Sequence, residues 1–212
     1  MKKWRILLLL LLPILLVSCA RPHTFSSAED GSGYMDQKTE IVYSRRPSRF
    51  EAASKGELFG TYVHEESGTT INFYEIPGMD SAVFLTDDKG NLYCSDAAEL
   101  APEEWTVNKA LVCIQDSNSV ALDQFTAKED AATLAEICTL WFETESNAEL
   151  PRKAPVFRRQ IKLCSDEYPS LYLSFTFAVY EGDAAYFFDR ESGRTVPVPK
   201  ALVDLLYNGG DA

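Results

Sequence analysis

The segment from Ser170 to Tyr180, SLYLSFTFAVY, constrains the fold of this chain most strongly, because its large apolar residues occupy alternate positions. Successive side chains of a β-strand point to opposite faces, so the alternation places one apolar set on one face of a strand. The members of that set are Leu171, Leu173, Phe175, Phe177 and Val179. A strand with one apolar face is typical of an antiparallel sheet that covers a hydrophobic core.

Pairs of strand-like segments joined by short, polar turn sequences recur along the chain, and each pair predicts a β-hairpin. The turn sequences include EESG, DDKG and DRESG, in which glycine permits a positive φ angle. The predicted pairs are residues 58–64 with 69–76, 81–86 with 91–95, 105–115 with 119–125, 156–164 with 170–180, and 184–188 with 194–198.

Two segments carry helical patterns. Thr126 and Glu129 have the spacing of a capping box, and the apolar residues that follow recur at helical intervals to about Ser146. Residues Lys200–Tyr207 follow a proline and precede Gly209-Gly210, which is typical of a short helix. We therefore predict an α+β fold: an antiparallel β-sheet of hairpins with one central amphipathic helix and a short C-terminal helix.

The amino terminus has the layout of a secretory signal peptide. A basic head, Met1–Arg5, precedes the apolar run Ile6–Val17, and small residues follow that run. A membrane-spanning helix needs about 20 apolar residues, and this run is shorter. The run therefore predicts export of the chain rather than a membrane span.

Leu16-Val17-Ser18-Cys19 resembles the lipobox of bacterial lipoproteins, in which small or aliphatic residues precede an obligatory cysteine. The resemblance covers only the first 19 residues. It implies cleavage before Cys19 and a diacylglyceryl thioether on Cys19, which would make membrane lipid a partner of the protein. The implied location is extracytoplasmic, with a lipid anchor in a bacterial membrane.

The composition of the chain then suggests three parts. Residues 1–18 are the signal peptide, residues 19–56 read as a flexible tether because they are polar and lack periodicity, and residues 57–212 form a single α+β domain. A weak internal similarity between residues 82–100 and 185–203 leaves open two related lobes on either side of the 126–146 helix.

The predicted domain is strongly acidic. Residues 57–212 contain 11 basic and 27 acidic residues, a net charge of −16. Nucleic-acid binding requires clustered lysine and arginine, so nucleic acid is not an expected partner. The charge either serves solubility or forms a docking face for a basic partner.

No motif assigns catalytic, cofactor-binding or metal-ligating residues. The two histidines are His23, in the predicted tether, and His64, at a hairpin, where a solvated side chain is favoured over a general base. The sequence DDKGN lacks the ligand spacing of a calcium-binding loop, and its residues are typical of a turn. We expect no cofactor.

Four cysteines remain after Cys19, and none of them forms a CxxC pair. In an exported domain an even number permits two disulfides, whereas cysteines in apolar segments also occur as buried free thiols. The four are Cys94, Cys113, Cys138 and Cys164.

The sequence therefore favours a non-catalytic binding or interaction module with a protein or glycan partner at the cell surface. Two alternatives remain open. One is a glycan-directed hydrolase that uses carboxylates alone, and the other is a small-solute receptor.

Overall fold

The computed structural model describes residues 22–114, 120–146, 148–182 and 184–208. Strands make up 41% and helices 13% of these described residues, which are therefore mostly β. The described strands are β1 (His23–Ser27), β2 (Tyr34–Asp36), β3 (Val42–Arg45), β4 (Phe50–Ala52), β5 (Leu58–Val63), β6 (Thr70–Glu75), β7 (Phe84–Asp87), β8 (Leu92–Cys94), β9 (Val107–Cys113), β10 (Ala121–Thr126), β11 (Phe157–Ser165), β12 (Leu171–Val179), β13 (Ala185–Phe188) and β14 (Thr195–Pro197). The helices are a 3₁₀ turn (Pro102–Glu104), α1 (Ala131–Cys138), which continues as a π-helical turn (Thr139–Glu143), and α2 (Lys200–Asn208).

Seven strands close into a barrel in the order β1-β2-β3-β8-β7-β6-β5. Neighbouring strands are antiparallel except at the closing seam, where β1 runs parallel to β5 with His23 opposite Gly60. Side chains fill the barrel interior, as expected for a barrel of this size. The buried members of this cluster are Phe25, Tyr43, Phe73, Leu85 and Tyr93.

The second sheet has the strand order β10-β9-β11-β12-β13-β14, and β4 pairs with the first residues of β12. The predicted strand at residues 170–180 is β12, the central strand of this sheet, with its large apolar residues buried. The π-helical turn after α1 packs on it: the ring of Trp141 stacks on Phe175 with 4.0 Å between centroids.

One hydrophobic core joins the barrel to the second sheet. In β7 and β8 the side chains of Leu85 and Tyr93 point into the barrel, while those of Phe84, Leu92 and Cys94 point outward. The outward set packs in the same cluster as the apolar face of β12 and both helices. The barrel and the sheet therefore share buried surface.

The predicted α+β class, with a single sheet and one central helix, is wrong. The described residues form two sheets, and the helix predicted over residues 126–146 is confined to Ala131–Cys138 and its π-helical extension. The hydroxyl of Thr126 accepts a hydrogen bond from the Glu129 amide, as a capping box requires. However, the Asp130 carboxylate accepts from the Thr126 amide, so these residues form a separate turn and the helix begins after Asp130. Among the described residues, no helix combines the length and hydropathy needed to cross a bilayer.

The segment predicted as a flexible tether, residues 19–56, is folded over its described part. It supplies β1, β2 and β3 to the barrel and β4 to the second sheet. Its large aromatic side chains explain the difference, because Phe25, Tyr43 and Phe50 are each buried to 4% exposure or less. Residues 1–18 and Cys19 lie outside the described residues. The barrel takes its strands from residues 23–94, and the second sheet combines β4 with the strands from β9 onward.

Candidate functional site

A cavity lies at one end of the barrel, and we call this end the mouth. The cavity has a volume of about 780 Å³, within the range of small-ligand sites. The hairpin turns β1–β2, β5–β6 and β7–β8 surround it, and each contains a glycine with positive φ: Gly31, Gly68 and Gly90. The turn sequences that predicted two of these hairpins thus also build the rim of the mouth.

Three tyrosine rings line the mouth and continue the aromatic interior of the barrel toward solvent. The ring centroid of Tyr34 lies 4.8 Å from that of Tyr62 and 5.9 Å from that of Tyr93. Burial raises the pKa of both Tyr34 and Tyr93, so both hydroxyls stay protonated and can donate hydrogen bonds. The hydroxyl of Tyr62 is hydrogen-bonded to the Ser27 hydroxyl at 3.0 Å, which orients its ring at the rim.

A hydrogen-bond network around Asp87 fixes the polar side of the mouth. Its carboxylate accepts from the amides of Lys89 and Asn91, from the Asn91 side chain at 2.7 Å, and from the Tyr93 hydroxyl at 3.3 Å. The side-chain Oδ1 of Asn91 accepts a hydrogen bond from the Arg45 guanidinium at 2.8 Å. Because each group in this chain has a partner, the positions of Arg45, Asn91 and Tyr93 are set before a ligand arrives.

The charges at the rim are balanced. Asp88 accepts hydrogen bonds from Lys55, Tyr74 and Asn72. These bonds, with the Lys55 contribution largest, hold the pKa of Asp88 below its ordinary value. Arg45 and Lys89 line the mouth together with Asp87 and Asp88. Two positive and two negative side chains favour an uncharged ligand over an ion.

The two histidines lie at opposite ends of the barrel and do not share a site. His64 is exposed in the β5–β6 turn at the rim, and its ring accepts only a long hydrogen bond from the Ser67 amide. His23, which was predicted to lie in a tether, is part of β1 at the opposite end of the barrel. Its Nδ1 donates to the buried Asp36 carboxylate at 2.7 Å, and its ring packs on Phe59.

The four later cysteines are free thiols and do not form the disulfides that their even number permits. Cys94, Cys113 and Cys164 are buried, and Cys138 is partly buried. Burial raises the pKa of every one of them, that of Cys138 to about 11. Thiols of this kind contribute to packing and are poor nucleophiles at neutral pH. Cys19 lies outside the described residues.

The sequence did not indicate Tyr34 and Arg45 as site residues, because both lie in the segment that it predicts to be a flexible tether. The local signal was present in EIVYS, residues 40–44, whose short alternating pattern includes the core residue Tyr43 of β3. What the sequence could not show is that this strand pairs with β8, about 50 residues later, and so brings Arg45 to Asn91.

The mouth offers aromatic faces and hydrogen-bonding groups at fixed positions, which is an arrangement for binding. Within the described ranges, no three His, Cys, Asp or Glu side chains come together in a way that could hold a metal ion. Comparison of the chain with models of protein families, with curated proteins and with solved structures finds no significant match.

Proposed function

We propose that this protein is a lipid-anchored, extracytoplasmic binding module whose barrel mouth binds an uncharged sugar residue of a glycan. The observation that carries the proposal is that partly exposed tyrosine rings and polar groups at fixed positions line one cavity. A sugar ring presents an apolar face and a rim of hydroxyls, which suits the rings of Tyr34 and Tyr62 beside Arg45 and Asn91.

The direction of β1 supports a role at a membrane surface. His23, at the start of β1, follows Cys19 by four residues, whereas Ser27, at the end of β1, lines the mouth. A lipid on Cys19 would therefore attach near the end of the barrel opposite the mouth, where β1 begins and which we call the closed end. The mouth would open away from the membrane, where a glycan or solute is accessible.

The carboxylates of the mouth favour binding over the alternative of a glycan hydrolase. A general acid in such enzymes needs a carboxyl group whose pKa is raised. The pKa of Asp88 is instead lowered by its hydrogen bonds. Asp87 is 7% exposed, and both of its oxygens are occupied by the network that shapes the rim.

The test is binding of the purified full chain, in detergent micelles, to an array of neutral glycans, followed by titration with the best glycan. Replacing Tyr62→Ala should weaken binding about 10-fold, because it removes a ring face from the cavity. Replacing Tyr62→Phe keeps the ring and should change affinity about 3-fold or less.

Tyr207→Ala provides the matched control, because Tyr207 is an exposed tyrosine on α2 and does not line the mouth. This variant should bind as the native protein does. The proposal is wrong if no neutral glycan binds, or if Tyr62→Ala and Tyr207→Ala bind the glycan equally well.

A further inference from the structure

A second cavity, which we call the arginine pocket, lies on the face of the second sheet opposite the shared core. It has a volume of about 420 Å³. Arg49 reaches it from the segment before β4, Arg158 from β11, and Arg190 from the β13–β14 turn. Three arginines thus line one cavity from three separate parts of an acidic chain.

None of these three arginines has a carboxylate partner within ion-pair distance in the described part of the chain. Arg49 lies over the ring of Phe50 at 5.2 Å, and Arg190 lies over the ring of Phe188 at 5.9 Å. The Nε atoms of Arg49 and Arg158 are buried and have no hydrogen-bond partner. Arginine fulfils its planar set of donors best with an oxyanion, which accepts several of them at once.

Ser174 provides an independent sign of a ligand. It lines the arginine pocket, its side chain is 4% exposed, and its buried hydroxyl has no hydrogen-bond partner. Its backbone amide donates to the Arg49 carbonyl oxygen at 2.6 Å, and both residues line the arginine pocket. A buried polar group without a partner destabilises the fold, so its retention is explained if a ligand completes it.

The two acidic residues of the arginine pocket are already engaged. Asp189 accepts hydrogen bonds from the amides of Glu191 and Ser192 and so shapes the β13–β14 turn. Glu191 accepts from the Ser48 amide at 2.5 Å, and this bond lowers its pKa. Both carboxylates are therefore bonded to backbone amides, and neither forms an ion pair with the three arginines. The lining keeps one net positive charge in a chain whose formal net charge is −12.

We propose that the arginine pocket binds a tetrahedral oxyanion, a phosphate or sulfate group carried on a small organic molecule. Arg49 and Arg158 would donate to its oxygens together with the Ser174 hydroxyl, and Arg190 would approach from the open side. The cavity volume leaves room for the molecule that bears the anion. This site is separate from the barrel mouth and rests neither on the lipid anchor nor on glycan binding.

The test is calorimetric titration of the purified full chain with inorganic phosphate, inorganic sulfate, glucose 6-phosphate and glucose at low ionic strength. We expect the three anions to bind with one site per chain, glucose 6-phosphate more tightly than phosphate. Any heat that glucose gives should be the same in Arg158→Gln as in the native chain, because glucose carries no anion for this pocket. Replacing Arg158→Gln should weaken anion binding about 10-fold or more, because charge-assisted hydrogen bonds are lost.

Arg152→Gln is the matched control, because Arg152 is exposed and lies outside the pocket. This substitution removes the same charge as Arg158→Gln does. Ser174→Ala separates ligand recognition from folding. It removes an unpartnered hydroxyl, so it should leave the thermal midpoint of the ligand-free protein equal or higher while weakening anion binding about 3- to 10-fold.

The proposal is overturned by any of three results. The first is the absence of anion binding by the native chain. The second is equal loss of affinity in Arg152→Gln and Arg158→Gln, which would mean unspecific attraction. The third is anion affinity that is unchanged in Arg158→Gln. Because Tyr62→Ala leaves this pocket intact, failure of glycan binding and failure of anion binding are distinguishable.

Discussion

Asp36 is a fully buried carboxylate at the closed end of the barrel, and its partners define a local stabilising cluster. It accepts hydrogen bonds from the Thr39 hydroxyl at 2.6 Å, the Lys38 amide at 3.0 Å and His23 at 2.7 Å. Burial acts to raise the pKa of Asp36, but these hydrogen bonds together outweigh burial and leave the pKa below its ordinary value. The cluster thus ties the start of β1 to the β2–β3 turn.

The lowered pKa of Asp36 predicts a loss of stability in acid. The unfolded chain binds this proton at about pH 3.9, and the folded chain binds it only at lower pH. The contribution of Asp36 is therefore present above about pH 4 and is lost as the pH falls through the folded pKa. Asp36→Asn should reduce the free energy of unfolding by about 1–3 kcal/mol at pH 6, measured by urea denaturation.

The same variant should show a smaller fall in stability between pH 6 and pH 3 than the native protein does. Glu65→Gln is the control, because Glu65 is exposed in the β5–β6 turn. Its unfolding should follow the native pH profile. If Asp36→Asn and the native chain lose stability in parallel over this range, Asp36 is not the group responsible.

At the scale of secondary-structure elements, the seam between β1 and β5 decides whether the barrel is closed. A Cβ atom at Gly60 would lie 2.6 Å from the His23 carbonyl oxygen and 2.5 Å from the Phe25 ring. The backbone of β1 cannot move away from such a Cβ atom without separating β1 from β5. Glycine at this position is therefore a requirement of close strand approach.

Gly60→Ala should weaken the seam and lower the free energy of unfolding by about 1–3 kcal/mol. Hydrogen exchange should then accelerate at the amides of β1 more than at those of β12. Gly68→Ala is the control, because Gly68 has a positive φ but open space around it, so its strain stays within the β5–β6 turn. Equal exchange at β1 in the two variants would show that the seam does not depend on Gly60.

The strands themselves were largely predictable, and their arrangement was not. The predicted hairpins at residues 58–76, 156–180 and 184–198 match β5–β6, β11–β12 and β13–β14 to within a few residues, because alternation and turn glycines are local signals. The turn predicted at residues 116–118 lies outside the described residues. Sheet membership depends instead on pairing between distant segments, such as β1 with β5 and β4 with β12, which no local pattern encodes.

The candidate site shows the same limit. The rim sequences EESG and DDKG were correctly predicted as turns, but nothing in them indicates that they surround one cavity. In the second sheet, alternation placed Ser174 and Thr176 on the face of β12 away from the core, and both line the arginine pocket. The arginines that make this face distinctive come from β11 and from two loops, so only the folded chain brings them together.

At the scale of the whole molecule, the folded N-terminal segment changes the expected geometry at the membrane. A flexible tether of more than 30 residues would hold the domain well away from the lipid. Because β1 begins at His23, only three residues separate it from Cys19, and the four Cα–Cα steps from Cys19 to His23 span at most about 14 Å. A protein that is lipidated on Cys19 would therefore hold the closed end of the barrel against the bilayer, with the mouth facing outward.

This geometry predicts a difference in access between the two ends of the barrel. Lys38 lies in the β2–β3 turn at the closed end, and Lys89 lies at the mouth. In the lipidated protein on liposomes, Lys89→Cys should react with a bulky maleimide several times faster than Lys38→Cys, because the bilayer shields the closed end. The native thiols contribute little background, since three are buried and the pKa of Cys138 is raised to about 11.

Adding Cys19→Ser to each variant should release the protein from the membrane fraction and make the two reaction rates equal. Dissolving the lipidated protein in detergent should likewise make the two rates equal. Retention of Cys19→Ser at the membrane would refute anchoring through this residue. If Lys89→Cys and Lys38→Cys react at equal rates in the lipidated protein on liposomes, the predicted orientation is wrong. Anchoring through Cys19 is not affected by that result, because it is measured separately by retention in the membrane fraction. The orientation matters for function because it decides whether a ligand can reach the mouth from the side of the barrel that faces away from the bilayer.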